Sequence, residues 1–232
     1  MKIADNVAVL EIKDERGAYC PTLVWDENEV ILIDTGLPGQ LDLIRAAMEP
    51  LGFKPEDITK VIITHQDMDH IGCVNELRAL GAKALAHKDE VPYLEGELMP
   101  VRLADMAEDI EKHGSNWSGE REYFEKAKAD APKYYIKVDR KLSDREYLDC
   151  CGGIEIIHTP GHMPGHIALH LLKDNIIVAG DAANIIHDKF IGPNPVFTNQ
   201  ERMPQANESF EKIRSLRPKM IVCFHGGIHF EK

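Results

Sequence analysis

The sequence predicts an α/β protein, and three observations lead there. Short runs of β-branched and apolar residues alternate with segments whose apolar residues recur at helical intervals. Histidines and aspartates gather where several of those runs stop, which is where open α/β sheets place their sites. Of 232 residues, 44% are hydrophobic and 28% charged, an ordinary soluble globular composition that excludes disorder over the whole length.

Residues 7–12, 19–25 and 30–33 are apolar runs separated by polar or glycine-containing breaks, and read as strands. Ile31, Leu32 and Ile33 lead directly into Asp34, Thr35 and Gly36, a buried strand ending in a tight turn. Leu41, Ile44, Met48 and Leu51 then follow helical spacing, and Gly52 closes that helix. A second buried strand over 61–64 delivers the segment from His65 to Gly72, which reads as a loop. A helix over 74–80, closed by Gly81, and a strand over 82–86 follow.

The pattern changes at residues 88–140, which are polar, poor in strands and helix-like, and so predict a helical insertion within one domain spanning 1–232. Met99, Leu103, Met106 and Ile110 form one apolar stripe there, read as core packing, with a lid or a dimer surface as alternatives. Trp117, Tyr123, Phe124, Tyr134 and Tyr135 are concentrated in the same stretch. Strands return over 154–158, 166–172 and 176–179, then a helix over 204–216 and a last strand over 220–224.

The net charge of −12 disfavours a nucleic-acid backbone or an anionic membrane as partner. No run of about 20 apolar residues is present, and the N-terminal residues lack the apolar core of a secretion signal, so a cytoplasmic protein is expected. The five cysteines, Cys20, Cys73, Cys150, Cys151 and Cys223, are scattered without a C-x-x-C pair and are expected to be thiols.

The chemistry concentrates at strand ends. His65, Asp67, Asp69 and His70 form an H-x-D-x-D-H directly after an apolar strand. Imidazole and carboxylate donors packed this closely suit divalent transition metals, and without a cation they would repel or go unsatisfied. His162 lies in a Gly/Pro-rich turn between two strands, while Asp181 and His225 each follow an apolar strand. His158 and His166 flank the His162 turn and read as supporting residues. His229 is a weaker alternative to His225, and His187 is within reach of a cleft mouth. His87, His113 and His170 have no evident partner, and Cys73 reads as a small buried hydrophobe.

With Asp34 in the first turn, His65 to His70, His162, Asp181 and His225 in this order, the chain resembles the metallo-β-lactamase fold superfamily over nearly its whole length. Its spacings look like the lactonase and flavodiiron branches, and its activity class like the lactonase and glyoxalase II-type metallohydrolases. That resemblance implies a four-layered αβ/βα sandwich with two divalent metal ions between its sheets. Carried over position by position, His65, Asp67 and His162 would hold the first ion, and Asp69, His70 and His225 the second. Asp181 would bridge them and orient a bridging hydroxide, with Asp34 supporting the ligands from behind. Asp67 departs from the usual pattern, where a histidine stands. One extra carboxylate leaves the site less positive and shifts preference from zinc, the commonest metal of the superfamily, toward manganese or iron. If Asp67 does not ligate, it is a candidate proton donor.

These residues point to a binuclear hydrolase of a small ester, lactone or thioester, with catalytic roles for Asp181 and Asp67. Lactonase relatives carry a tyrosine near the substrate, and Tyr93, Tyr123, Tyr134 and Tyr135 are candidates by location. The alternatives are a diiron oxygen or nitric oxide reductase-like domain, which Asp67 favours, and a non-catalytic metal-binding domain. The expected partner is a small-molecule substrate, with neither nucleic acid nor membrane. A homodimer is an assembly that the resemblance allows.

Overall fold

Side-chain alternation along the strands decides the architecture. In the computed structural model, which describes residues 1–115 and 117–231, one seven-stranded sheet has its strands adjacent in chain order. They are β1 (Lys2–Ala4), β2 (Val7–Val9), β3 (Thr22–Trp25), β4 (Val30–Ile33), β5 (Lys60–Ile63), β6 (Lys83–His87) and β7 (Arg140–Leu142). From β4 to β7 neighbouring strands run parallel. A six-stranded sheet follows, again in chain order. Its strands are β8 (Tyr147–Leu148), β9 (Ile154–His158), β10 (Ile167–Leu171), β11 (Ile176–Val178), β12 (Met220–Cys223) and β13 (Gly227–Phe230). Only β11 and β12 are parallel in it. The helices are α1 (Leu41–Met48), α2 (Met68–Ile71), α3 (Val74–Ala79), α4 (Val91–Leu94), α5 (Val101–His113), α6 (Glu120–Asp130) and α7 (Met203–Ser215).

Ile31, Ile33 and Ile62 point from the first sheet into one core with Ile154, Ile156, Leu169 and Val178 of the second. Their neighbours Leu32, Val61 and Ile63 point the other way, onto Ile44 and Met48 of α1 and Val74 and Leu77 of α3. On the far side Ile157, Ile177 and Ile221 pack against Ile213 of α7. Strands apolar on both faces need cover on both faces. The result is the helix–sheet–sheet–helix stack that the family resemblance implies.

Several boundaries differ from expectation. The run 7–12 breaks after Val9, and 19–25 breaks at Pro21, because Ile12–Asp14 pairs with Gly17–Tyr19 in a separate hairpin. Proline has no N–H to give a ladder. The segment from His65 to Gly72 is not all loop: the N–H groups of His70 and Ile71 donate to the Asp67 carbonyl at 2.9 and 3.2 Å, closing the short helix α2. The apolar stripe loses its first member, since Pro100 sets the start of α5 and Met99 lies before it, 36% exposed. Leu103 and Ile110 are buried. β1, β13 and a hairpin of Asn184–Ile186 with Lys189–Ile191 carry too little apolar pattern to be expected from sequence.

Gly72 shows how tightly α2 is seated. A Cβ there would lie 2.2 Å from the backbone of Leu37 and Pro38 and 2.5 Å from the Gly36 carbonyl oxygen. None of these atoms can turn aside as a side chain would. Gly72→Ala is therefore expected to cost about 1–3 kcal/mol or more of stability, measured as a lower midpoint of urea unfolding. An unchanged midpoint would mean that the turn after Asp34 gives way freely.

Candidate metal centre

The C-terminal ends of the parallel strands converge on one cleft. Asp34 follows β4 directly, Thr64 and His65 follow β5, Asp181 and His225 lie just past β11 and β12, and the turn between β9 and β10 carries His162. Asp34 has φ 59°, a left-handed conformation uncommon outside glycine. That backbone turns its carboxylate back under the ligand segment. The Thr64 N–H and hydroxyl donate to it at 2.9 and 2.7 Å, and His70 Nδ1–H at 2.8 Å. His70 Nε2 is thereby fixed as the ring nitrogen available to the cleft.

Two groups of donor atoms form around Asp181. In one, donor atoms of His65, Asp67 and His162 lie within 4.8 Å of one another; in the other, those of Asp69, His70 and His225 do. The Asp181 carboxylate stands between them. Its Oδ2 is 3.4 Å from His162 Nε2, and its Oδ1 is 3.4 Å from both His70 Nε2 and His225 Nε2. His166, fully buried, accepts the Asp181 N–H on Nε2 at 3.0 Å and holds the Thr159 hydroxyl at 2.8 Å. Burial, with His65 and His162 beside it, pushes the His166 imidazole well below its ordinary pKa and keeps it a neutral acceptor.

His65 Nε2, His70 Nε2 and Asp181 Oδ1 are buried without a hydrogen-bond partner. Such groups cost stability unless something satisfies them. Three unsatisfied donor atoms facing one another, on imidazole and carboxylate, fit divalent metal ions. The protein's own charges already lean that way. Burial alone would raise the Asp181 carboxyl, but His70, His225 and His162 hold it well below the usual range.

Asp67 has a partner that the sequence did not reveal. Arg102, in the first turn of α5, donates from Nε to both Asp67 oxygens at 3.1 Å and from Nη2 to Oδ2 at 2.5 Å. Its Nη2 also lies 3.2 Å from His162 Nε2, and Nη1 donates to the Phe197 carbonyl. The Asp67–Arg102 pair is neutral overall, as a histidine at position 67 would be. The lower site charge expected from Asp67 alone is therefore offset. A second unforeseen brace is Glu90, fully buried. It accepts the Gln66 N–H at 2.9 Å, Gln66 Nε2–H at 3.0 Å and the Gly165 N–H at 2.8 Å, tying the two histidine-bearing turns together. Gln66 Oε1 in turn accepts the Val101 N–H at the start of α5, at 2.9 Å. Neither residue could be found from sequence, because their partners lie 24 to 95 positions away.

A cavity of about 860 Å³ opens over the centre, bounded by Asp67, Asp69, Asp181 and His225 at its base. Tyr93, Tyr123, Tyr134 and Tyr135 all line it, joined by Tyr19 from the 12–19 hairpin. The other singled-out residues lie elsewhere. His187 is exposed in a hairpin turn, and His229 stacks on Phe190. His158 donates to the Pro164 carbonyl and stacks on His87. Cys73 is buried against the Leu37 carbonyl, its thiol pushed up to about 12 by burial.

The profile of the metallo-beta-lactamase superfamily matches residues 21–225. The chain belongs to this superfamily. Among superfamily relatives, the probable metallo-hydrolase YflN of Bacillus subtilis is 23% identical, over 90% of this chain and 79% of its own length. The probable metallo-hydrolase MJ0296 of Methanocaldococcus jannaschii is 28% identical, over 87% and 74%. The fold matches that of the metallo-beta-lactamase family protein TTHA1429 from Thermus thermophilus with a TM-score of 0.77 at 20% identity, covering 98% of this chain and 75% of that one. BJP-1, a subclass B3 metallo-beta-lactamase of Bradyrhizobium japonicum, aligns with a TM-score of 0.65 at 20% identity, over 97% and 76%. Superfamily membership makes this chain metallo-hydrolase-like and its His/Asp groups candidates for binding metal ions. No helix among the described residues is long and apolar enough to cross a membrane.

Asp34→Ala removes the acceptor that orients His70 and is expected to weaken metal binding about 10- to 100-fold, read by equilibrium dialysis against buffered zinc. Undiminished affinity would sever Asp34 from the centre. Burial raises the Glu90 carboxyl to about 7, above its ordinary 4.5. The folded chain then holds more protons than the unfolded one between those values, so this group's contribution to stability falls as pH rises through that window and is flat above it. Urea unfolding at several pH values should show a shallower slope there in Glu90→Gln, whatever its overall stability; an identical slope would place the titration elsewhere.

Proposed function

We propose that the protein is a binuclear metal-dependent hydrolase acting on a small ester, lactone or thioester, using zinc, manganese or iron. The observation that supports this most directly is the division of the Asp181 carboxylate, one oxygen toward His162 and the other toward His70 and His225, each at 3.4 Å. His65, Asp67 and His162 would hold one ion, Asp69, His70 and His225 the other, and Asp181 both. Bound there, the ions would supply Lewis acidity and a water acidified to near neutral pH.

The chain's own groups do the positioning. Asp34 holds the His70 ring, and Thr198, whose hydroxyl is 3.1 Å from His162 Nδ1, holds that of His162. His166 pins the backbone of Asp181. Asp67, engaged by Arg102 through both oxygens, stays ionised and serves as a donor to metal rather than a source of protons. The tyrosine-lined cavity suits an organic substrate of modest size. Asp67, which favours the diiron alternative, is also the residue that Arg102 engages, so a hydrolase centre has a use for its carboxylate as well.

The test is turnover of p-nitrophenyl esters, lactones and thioesters by protein loaded with zinc or manganese. Hydrolysis is expected to vanish with chelation and return with metal. Asp181→Asn should lower kcat/KM by at least about 100-fold, more than the loss of a supporting partner costs. A fully loaded protein that turns over none of the three classes would overturn the hydrolase assignment.

A further inference from the structure

Arg102 contacts donor atoms that a first metal ion would use. Its fork engages both oxygens of Asp67, and its Nη2 approaches His162 on Nε2, the nitrogen that faces the cleft. Thr198 holds the other nitrogen of that ring. Two of the three residues of the His65, Asp67 and His162 group are therefore already contacted by a permanent cation. The second group is different. No lysine or arginine among the described residues hydrogen-bonds to the side chains of Asp69, His70 or His225. His225 Nε2 sits 3.2 Å from Asp69 Oδ2 and 3.4 Å from Asp181 Oδ1.

The two groups thus differ in whether a guanidinium already holds their donor atoms. Asp181 turns one oxygen to each group, so the difference lies in the other carboxylates: Arg102 neutralises Asp67 in the first, and no lysine or arginine among the described residues hydrogen-bonds to Asp69 in the second. An incoming divalent ion at the first group must displace the guanidinium from Asp67 and His162, or sit beside it and be repelled. At a few ångströms that repulsion persists even with an effective dielectric constant of about 20. Arg102 is also anchored away from the centre, by Nη1 on the Phe197 carbonyl and by the Gln66–Val101 hydrogen bond at the base of its helix. It has a place to remain once Asp67 is released.

We infer that Arg102 is a positioning residue that makes the two metal subsites unequal: it competes for Asp67 and His162, so the Asp69–His70–His225 group fills first and the His65–Asp67–His162 group only at higher metal. This rests on the two-metal reading above, and it adds an order of filling and the residue that sets it.

The test counts bound zinc, independently of activity, after equilibrium dialysis of the full-length protein against a series of chelator-buffered free zinc concentrations. Wild type is expected to fill in two separated steps. Arg102→Met, which keeps the length of the stem without the charge, should tighten the weaker step by about tenfold or more and leave the tighter one nearly unmoved. Arg102→Gln should move it in the same direction, and Arg102→Lys should lie between. His65→Ala should abolish the weaker step and His225→Ala the tighter one. If both Arg102→Met and Arg102→Gln loosen the weaker step or leave it unchanged while two ions still bind, Arg102 does not compete and the inference fails alone. If His65→Ala removes the tighter step instead, the order of filling is wrong. If neither wild type nor Arg102→Met ever holds a second ion, the two-metal reading fails and takes the inference with it.

Discussion

The carboxylate of Asp34 is the constraint on which the centre depends. It stands at the end of one parallel strand and receives hydrogen bonds from the start of the segment after the next strand, through Thr64, and from the far end of that segment, through His70. One side chain thereby sets the spacing between two strand ends and the orientation of a cleft imidazole. The left-handed backbone at Asp34 is the conformational cost of turning the carboxylate inward. The seating of α2 against residues 36–38, with no room for a Cβ at Gly72, keeps His70 at the right depth. Thr35 contributes as well, its N–H and hydroxyl donating to the His70 carbonyl at 2.8 and 3.0 Å.

The framework was legible in the sequence because burial on both faces leaves a strong signature. Strands such as Val30–Ile33 and Ile176–Val178 are unbroken apolar runs, and helices such as Leu41–Met48 carry one apolar stripe. Histidines and aspartates stood out because they interrupt such runs at their ends, and the fold brings His65, Asp67, Asp69, His70, His162, Asp181 and His225 into one cleft. What was illegible depends on long-range contact. Short edge strands like Gly227–Phe230 bury little and so have no pattern of their own. Arg102 and Glu90 look in sequence like ordinary charges in a polar helical stretch. Their importance arises only when α4 and α5 fold back over the histidine-bearing turns.

That folding-back gives residues 88–140 a role in the centre beyond covering it. Glu90, just before α4, joins the Gln66 and Gly165 backbones, and Gln66 holds the first N–H of α5. An N–H at a helix start lacks an intrahelical acceptor, so Gln66 supplies one from within the H-x-D-x-D-H segment itself. The helix that bears Arg102 is therefore registered directly against the residue next to Asp67. Farther along, α6 and the segment after it bring Tyr123, Tyr134 and Tyr135 to the cavity wall. The same stretch of chain shapes the substrate space and sets the electrostatics at its floor.

Asp67 and Arg102 are best understood as one unit. A carboxylate at position 67 without a cation would add a buried negative charge among Asp69 and Asp181, and a guanidinium at 102 without Asp67 would point an uncompensated positive charge at His162. Each residue alone leaves an uncompensated charge in the cleft, one negative beside Asp69 and Asp181 and the other positive beside His162. Together they restore the neutral sum of a histidine while adding a directional, two-pronged contact that a histidine cannot make. The consequence is mechanical as well as electrostatic, because the pair joins the strand-end segment to α5, and Arg102 reaches on to the Phe197 carbonyl on the far side of the cleft. A departure from the usual motif that reads in sequence as a change of metal preference becomes, in three dimensions, a strut across the site.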